Sequence, residues 1–170
     1  MHRPALLAVL SSLVFLGPVH ARRIEPWPYK KLLKEADVVV VATALSSKET
    51  GEVTKLGGWQ TNLLGVDTTF AVEAVLKGEV KGDQLTVFHY RLKPGVHVEN
   101  GPLLISFRTK RLAIQTKQAK VGLGVPSYLL FLKKRPDGRY EAVSGQIDPK
   151  LSVREMHPPL PEGLGEEEGK

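Results

Sequence analysis

Asp37-Val38-Val39-Val40-Val41-Ala42-Thr43-Ala44-Leu45 is the stretch on which the fold turns. Four consecutive valines are stiff at χ1 and disfavour a helix, and the unbroken apolar run reads as a strand covered on both faces. Just before it, Tyr29, Leu32, Leu33 and Ala36 fall at i, i+3, i+4 and i+7. That spacing is one apolar face of a short helix, with Lys30, Lys31, Lys34 and Glu35 off it. Pro28 suits the first turn, where its missing N–H costs nothing. The residues from Arg22 to Trp27 read as an extended lead-in.

Downstream, residues 46–61 are polar and carry Gly51, Gly57 and Gly58, which predicts a loop. From Leu64 to Lys77 the chain alternates. Thr68, Phe70, Val72, Ala74 and Leu76 share one face; Asp67, Thr69, Ala71, Glu73, Val75 and Lys77 share the other. Gly78 and Gly82-Asp83 bracket a turn into a strand from Gln84 to Arg91, which sets Leu85, Val87 and His89 opposite Thr86, Phe88 and Tyr90. A short apolar strand is expected from Leu103 to Phe107, then a basic, glycine-bearing loop over residues 108–126. A strongly apolar strand from Ser127 to Lys133 pairs with Arg139 to Val143 across Pro136-Asp137-Gly138, the strongest turn signal in the chain. One helix and about six strands do not make a βαβ sheet. They suggest a mainly β domain: a small, closed or nearly closed antiparallel barrel of five or six strands.

The first residues carry their own message. Arg3, the apolar run Ala5 to Leu16, the helix-breaking Gly17-Pro18 and the small-x-small Val19-His20-Ala21 read as a signal peptide over residues 1–21. The same run read as a retained N-terminal anchor is the alternative, although it is short for a bilayer span. The expected organisation is therefore a leader at 1–21, a β domain at 22–150 and a disordered Pro- and Glu-rich tail at 151–170. The tail holds Pro158, Pro159, Pro161 and Glu166-Glu167-Glu168. The expected location is secreted or periplasmic, outside a bacterial cytoplasm. The chain has no cysteine, which excludes disulfides, a thiol nucleophile and cysteine metal sites. Its net charge of +6 is modest, and only Arg3 of the charged residues lies in the leader. Such a surface suits an acidic polysaccharide, an anionic lipid or an acidic partner, and on charge alone plain solubility is the favoured reading.

Taken together, three features have a familiar order. Tyr29-x-x-Leu32-Leu33-x-x-Ala36-Asp37 leads directly into the valine strand. Phe70-x-Val72-x-x-Val75-Leu76-Lys77-Gly78 precedes Leu85-x-Val87. Tyr128-Leu129-Leu130-Phe131-Leu132 precedes Pro136-Asp137-Gly138-Arg139-Tyr140. Over about residues 28–148 this pattern resembles secreted bacterial proteins of the tissue-inhibitor-of-metalloproteinases-like (netrin-like) group. The resemblance implies an OB-fold barrel. The animal inhibitors chelate the protease zinc through an N-terminal cysteine, and this chain has none, so no inhibitory residue carries over. Similarity of fold does not transfer activity.

The candidates for chemistry are sparse. His89 and His97 are the histidines available to a folded site, and with Glu99 they lack the spacing of a zinc site. Ser106, Ser127 and Ser144 lie in no nucleophile motif, and Gly122-x-Gly124 precedes no helix. Asp67 and Glu73, six residues apart on one strand, would lie roughly 20 Å apart, too far for a carboxylate pair. No catalytic, metal or cofactor residues are assigned, and no cofactor is expected. The best cluster is basic: Arg108, Lys110, Arg111, Lys117 and Lys120, with Arg91 on a neighbouring strand and Phe88 and Tyr90 as stacking candidates. The leading expectation is a non-enzymatic module that binds a protein or polysaccharide, with no nucleic acid and no stable membrane span. Two alternatives stand beside it. One is a protease inhibitor using Arg22-Arg23-Ile24 or a loop; the other is a hydrolase in which His89 or His97 meets a carboxylate.

Overall fold

The computed structural model describes residues 25–55, 62–98, 101–110, 112–115, 120–149 and 151–156. The expected leader lies outside the described residues. One helix, α1 (Tyr29–Glu35), precedes eight strands: β1 (Val38–Lys55), β2 (Asn62–Lys77), β3 (Gln84–Leu92), β4 (Leu112–Gln115), β5 (Lys120–Gly124), β6 (Ser127–Lys134), β7 (Tyr140–Ala142) and β8 (Val153–Met156). Six of them form one mixed sheet in the order β1-β2-β3-β7-β6-β8, and β6 also returns to β1. Five strands thus come round into a near-closed ring. Its weakest seam is between β3 and β7, which share the single pair Val87↔Tyr140.

That seam is parallel, whereas β1–β2, β2–β3, β6–β7 and β1–β6 are all antiparallel. The expectation of a wholly antiparallel sheet is corrected here, and the reason is parity. Strand direction cannot alternate all the way round a ring of five, so one neighbouring pair must run the same way.

The valine strand is covered on both faces by two different layers. Val38, Val40, Ala42 and Ala44 point into the ring with Phe70, Leu85, Val87, Tyr128, Leu130 and Leu132. On the outside Val39 and Phe131 pack under Leu32 of α1 and Ala36 at its C-cap. The helix buries only that narrow stripe, and Tyr29 and Leu33 remain exposed. Gly78 turns the chain out of β2 at φ +77°, and a Cβ there would lie 2.2 Å from the Asp37 carbonyl.

Four segments differ from the sequence reading. Residues 46–55 continue β1 instead of forming a loop: Ser46 to Glu49 pair with Thr69 to Val66, and Val53 to Lys55 with Leu64 to Asn62. This arm is almost wholly exposed, so backbone pairing shapes it and its side chains show no apolar alternation. Leu103 to Phe107 makes one bridge, Leu104↔Ile147, in place of a strand. Within the basic segment, β4 and β5 pair as a two-stranded sheet of their own. Val153–Met156 pairs with Leu130 to Ser127 inside the segment assigned to the tail.

Candidate functional site

Residues opposed across an antiparallel pair share a face. Ser47, Thr68 and Val87 therefore form one inward row across β1, β2 and β3, and Glu49, Val66 and His89 form the next. Arg91 follows on β3, opposite Leu64. Residues 102–107 cross this end of the ring, and between them and the strands lies a cleft of about 580 Å³. Phe107 plugs its inner end, edge-on to Phe70 at 4.7 Å, His89 at 5.0 Å and Tyr128 at 5.2 Å. The crossing segment is tied at both ends. The Leu103 N–H donates to Asp148 Oδ1 at 2.9 Å, and the Arg108 N–H donates to Tyr128 Oη at 2.8 Å.

A chain of hydrogen bonds runs from the cleft wall inward. Ser47 Oγ and Thr68 Oγ1 are 2.8 Å apart, and Thr68 Oγ1 and His89 Nε2 are 2.9 Å apart. Ser47 is exposed; Thr68 and His89 are buried. Burial pushes the His89 pKa down to about 4, against the opposing pull of the nearby Tyr90 and Ile105 backbone. Its Nδ1 makes no hydrogen bond of ordinary geometry. The side-chain partner of His89 is thus a hydroxyl and not a carboxylate. His97 is exposed in the connection after β3. At the cleft mouth the Arg91 guanidinium pairs with Glu49.

The outer face of the same strands is closed by arginines. Phe88 is fully buried, with the Arg135 and Arg139 guanidinium carbons 4.4 and 4.5 Å from its ring centre. Arg139 donates to Asp137 at 2.6 Å, Glu52 at 2.7 Å and Asp67 at 2.9 Å. Hydrogen bonds from Arg139 hold the Asp137 carboxyl well below the usual carboxylate range. This network fastens the β6–β7 turn to β1 and β2, and it leaves Phe88 no stacking face. Tyr90 stands edge-on to Phe88 at 5.0 Å.

Among the cationic residues named from sequence, Arg91 and Arg108 turn to different partners. Arg91 lines the cleft. Arg108 is exposed and turns to Glu155 on β8 at 3.3 Å. Lys110 is exposed, Lys120 opens β5 opposite Gln115, and Arg111 and Lys117 lie outside the described residues. So does the Arg22-Arg23-Ile24 segment that an inhibitor would use. Asp67 is bound by Arg139, and Glu73 accepts hydrogen bonds from Ser127 at 2.8 and 3.0 Å and from Thr43. Sequence reasoning missed Ser47, hidden in an apparent loop, and the crossing of residues 102–107 over the ring. Thr68 was placed on the correct inward face with Phe70, and that was the available signal for a polar group in the core.

Comparison with protein-family models, with curated proteins and with solved structures returns no match to this chain.

Proposed function

We propose that the chain is a non-enzymatic binding module that acts outside the cytoplasm and engages an acidic protein or polysaccharide along its basic hairpin. The observation that carries this reading is the β4–β5 hairpin, which pairs with itself as a separate two-stranded sheet. From Arg108 to Lys120 the sequence holds Arg108, Lys110, Arg111, Lys117 and Lys120 and not one carboxylate. Cations grouped along one segment, with Glu155 from β8 as the counter-charge on Arg108, raise the local concentration of anionic partners and steer their approach. The leader-like residues 1–21 support export. The five-strand ring with one weak seam supports an OB-like barrel, a partly open five-stranded architecture that binds oligomeric ligands across its loops.

Retention on immobilised polygalacturonate and poly-L-glutamate, with neutral dextran as control, tests the reading. The wild-type chain is expected to be retained on at least one polyanion at low salt and released as salt screens the contact. A variant with all five cations changed to glutamine is expected to pass through. Equal retention of that variant, or no retention of the wild type on either polyanion, counts against the reading.

A further inference from the structure

Among the described residues the cleft beneath residues 102–107 takes no lining from β4 or β5, and its lining has a definite chemistry. Val66, Leu92, Leu104, Ile105 and Phe107 supply apolar surface. Among the described lining residues, Glu49 and Arg91 belong to the inward rows, and Lys48 sits in the row of Asp67 and Phe88 on the other face. The volume of about 580 Å³ falls within the range of small-ligand sites, roughly 300–1,000 Å³.

We propose that this cleft binds a small amphipathic carboxylate, with its apolar body against Leu104 and Phe107 and its carboxylate on Arg91 and the Ser47 hydroxyl. Three observations select that head group. First, Arg91 already holds a carboxylate, that of Glu49, through one guanidinium nitrogen. Both side chains are part-exposed, at 39% and 55%, so exchanging one carboxylate for another sacrifices little. A guanidinium has five N–H donors, and a free ligand can take a bidentate grip. Second, the Glu49 carboxylate is already paired with the Arg91 guanidinium, so an ammonium head would have to compete with that cation for it. Third, Ser47 is fixed by its bond to Thr68, which His89 anchors from the core. Its hydroxyl therefore stands at a set place on the wall, with capacity left for one more bond.

Titration of the full chain with hexanoate, hexanol, hexylammonium and acetate, followed by NMR shifts and calorimetry, tests the site. Hexanoate is expected to move resonances of Val66, Leu104 and Phe107 and to bind at least about tenfold more tightly than the other three, the contribution of one charge-assisted contact. Arg91→Gln is expected to lose about tenfold in hexanoate affinity. Glu49→Gln is expected to gain affinity, because it removes the internal competitor, and misfolding cannot produce a gain. The hairpin variant lacking its five cations should bind hexanoate as the wild type does, so the two readings fail separately. Equal binding of hexanoate and hexanol, or unchanged affinity in both Arg91→Gln and Glu49→Gln, would overturn the assignment. So would a peptide with a free C-terminal leucine that binds far more tightly than hexanoate, since it would make the cleft a site for protein chain ends.

Discussion

A methyl group placed on Gly65 would lie 2.6 Å from Thr50 Oγ1 and 2.9 Å from both Glu52 Cβ and the Phe88 ring. Thr50 can turn away. Glu52 Cβ and the buried ring cannot, because Phe88 sits under two arginines. Gly65→Ala is therefore expected to cost about 1–3 kcal/mol, the usual penalty of overpacking, measured by urea denaturation. His89 makes a second residue-scale prediction. Its pKa is about 4 in the folded chain and 6.5 as an ordinary histidine, so the unfolded state takes up the proton first as pH falls. The stabilisation is complete above pH 6.5 and is lost progressively down to pH 4. The loss is up to about 3 kcal/mol. Denaturation midpoints at pH 7 and pH 4.5 should differ in the wild type and converge in His89→Gln. A wild-type midpoint that does not fall over this range would remove the account of His89 as a buried neutral ring. The inward direction of His89 was legible from its alternation with Leu85 and Val87. Its partner was not, because Thr68, itself bonded to Ser47, meets it through strand register, which no local pattern encodes.

At the scale of elements, α1 depends on a residue far from it in sequence. The Lys77 ammonium donates to the carbonyls of Leu33 at 2.6 Å and Ala36 at 2.5 Å, capping the helix end where carbonyls lack partners. Lys77→Met keeps the apolar stem and removes the cap. It should destabilise the chain by about 1 kcal/mol, with faster amide exchange in residues 32–36 than in β1. Uniform acceleration across both elements would contradict a capping role. The helix itself, the valine strand, β2 to β3 and the β6–β7 hairpin were legible because each has an apolar period or a fixed turn sequence. The far half of β1 was not: Ser46 to Lys55 is held by backbone pairing, holds Gly51 at φ +80°, and has no buried residue. Leu103 to Phe107 misled in the opposite direction. Its apolar residues serve as a plug across the ring, with Ile105 buried and Leu103 exposed, and not as a sheet strand.

For the whole molecule, the ring brings two unlike surfaces together. One is an apolar cleft edged by an Arg–Glu pair; the other is a cation-rich hairpin attached between residues 102–107 and β6. The hairpin bears the central claim, the proposed binding of a polyanion. The most direct measurement is an NMR titration of the isotope-labelled chain with poly-L-glutamate and with polygalacturonate at low salt. The account expects amide shifts concentrated in residues 108–124, saturating with added polyanion and reversed by salt as the charges are screened. Shifts spread evenly over the surface, or their absence at both polyanions, would contradict it.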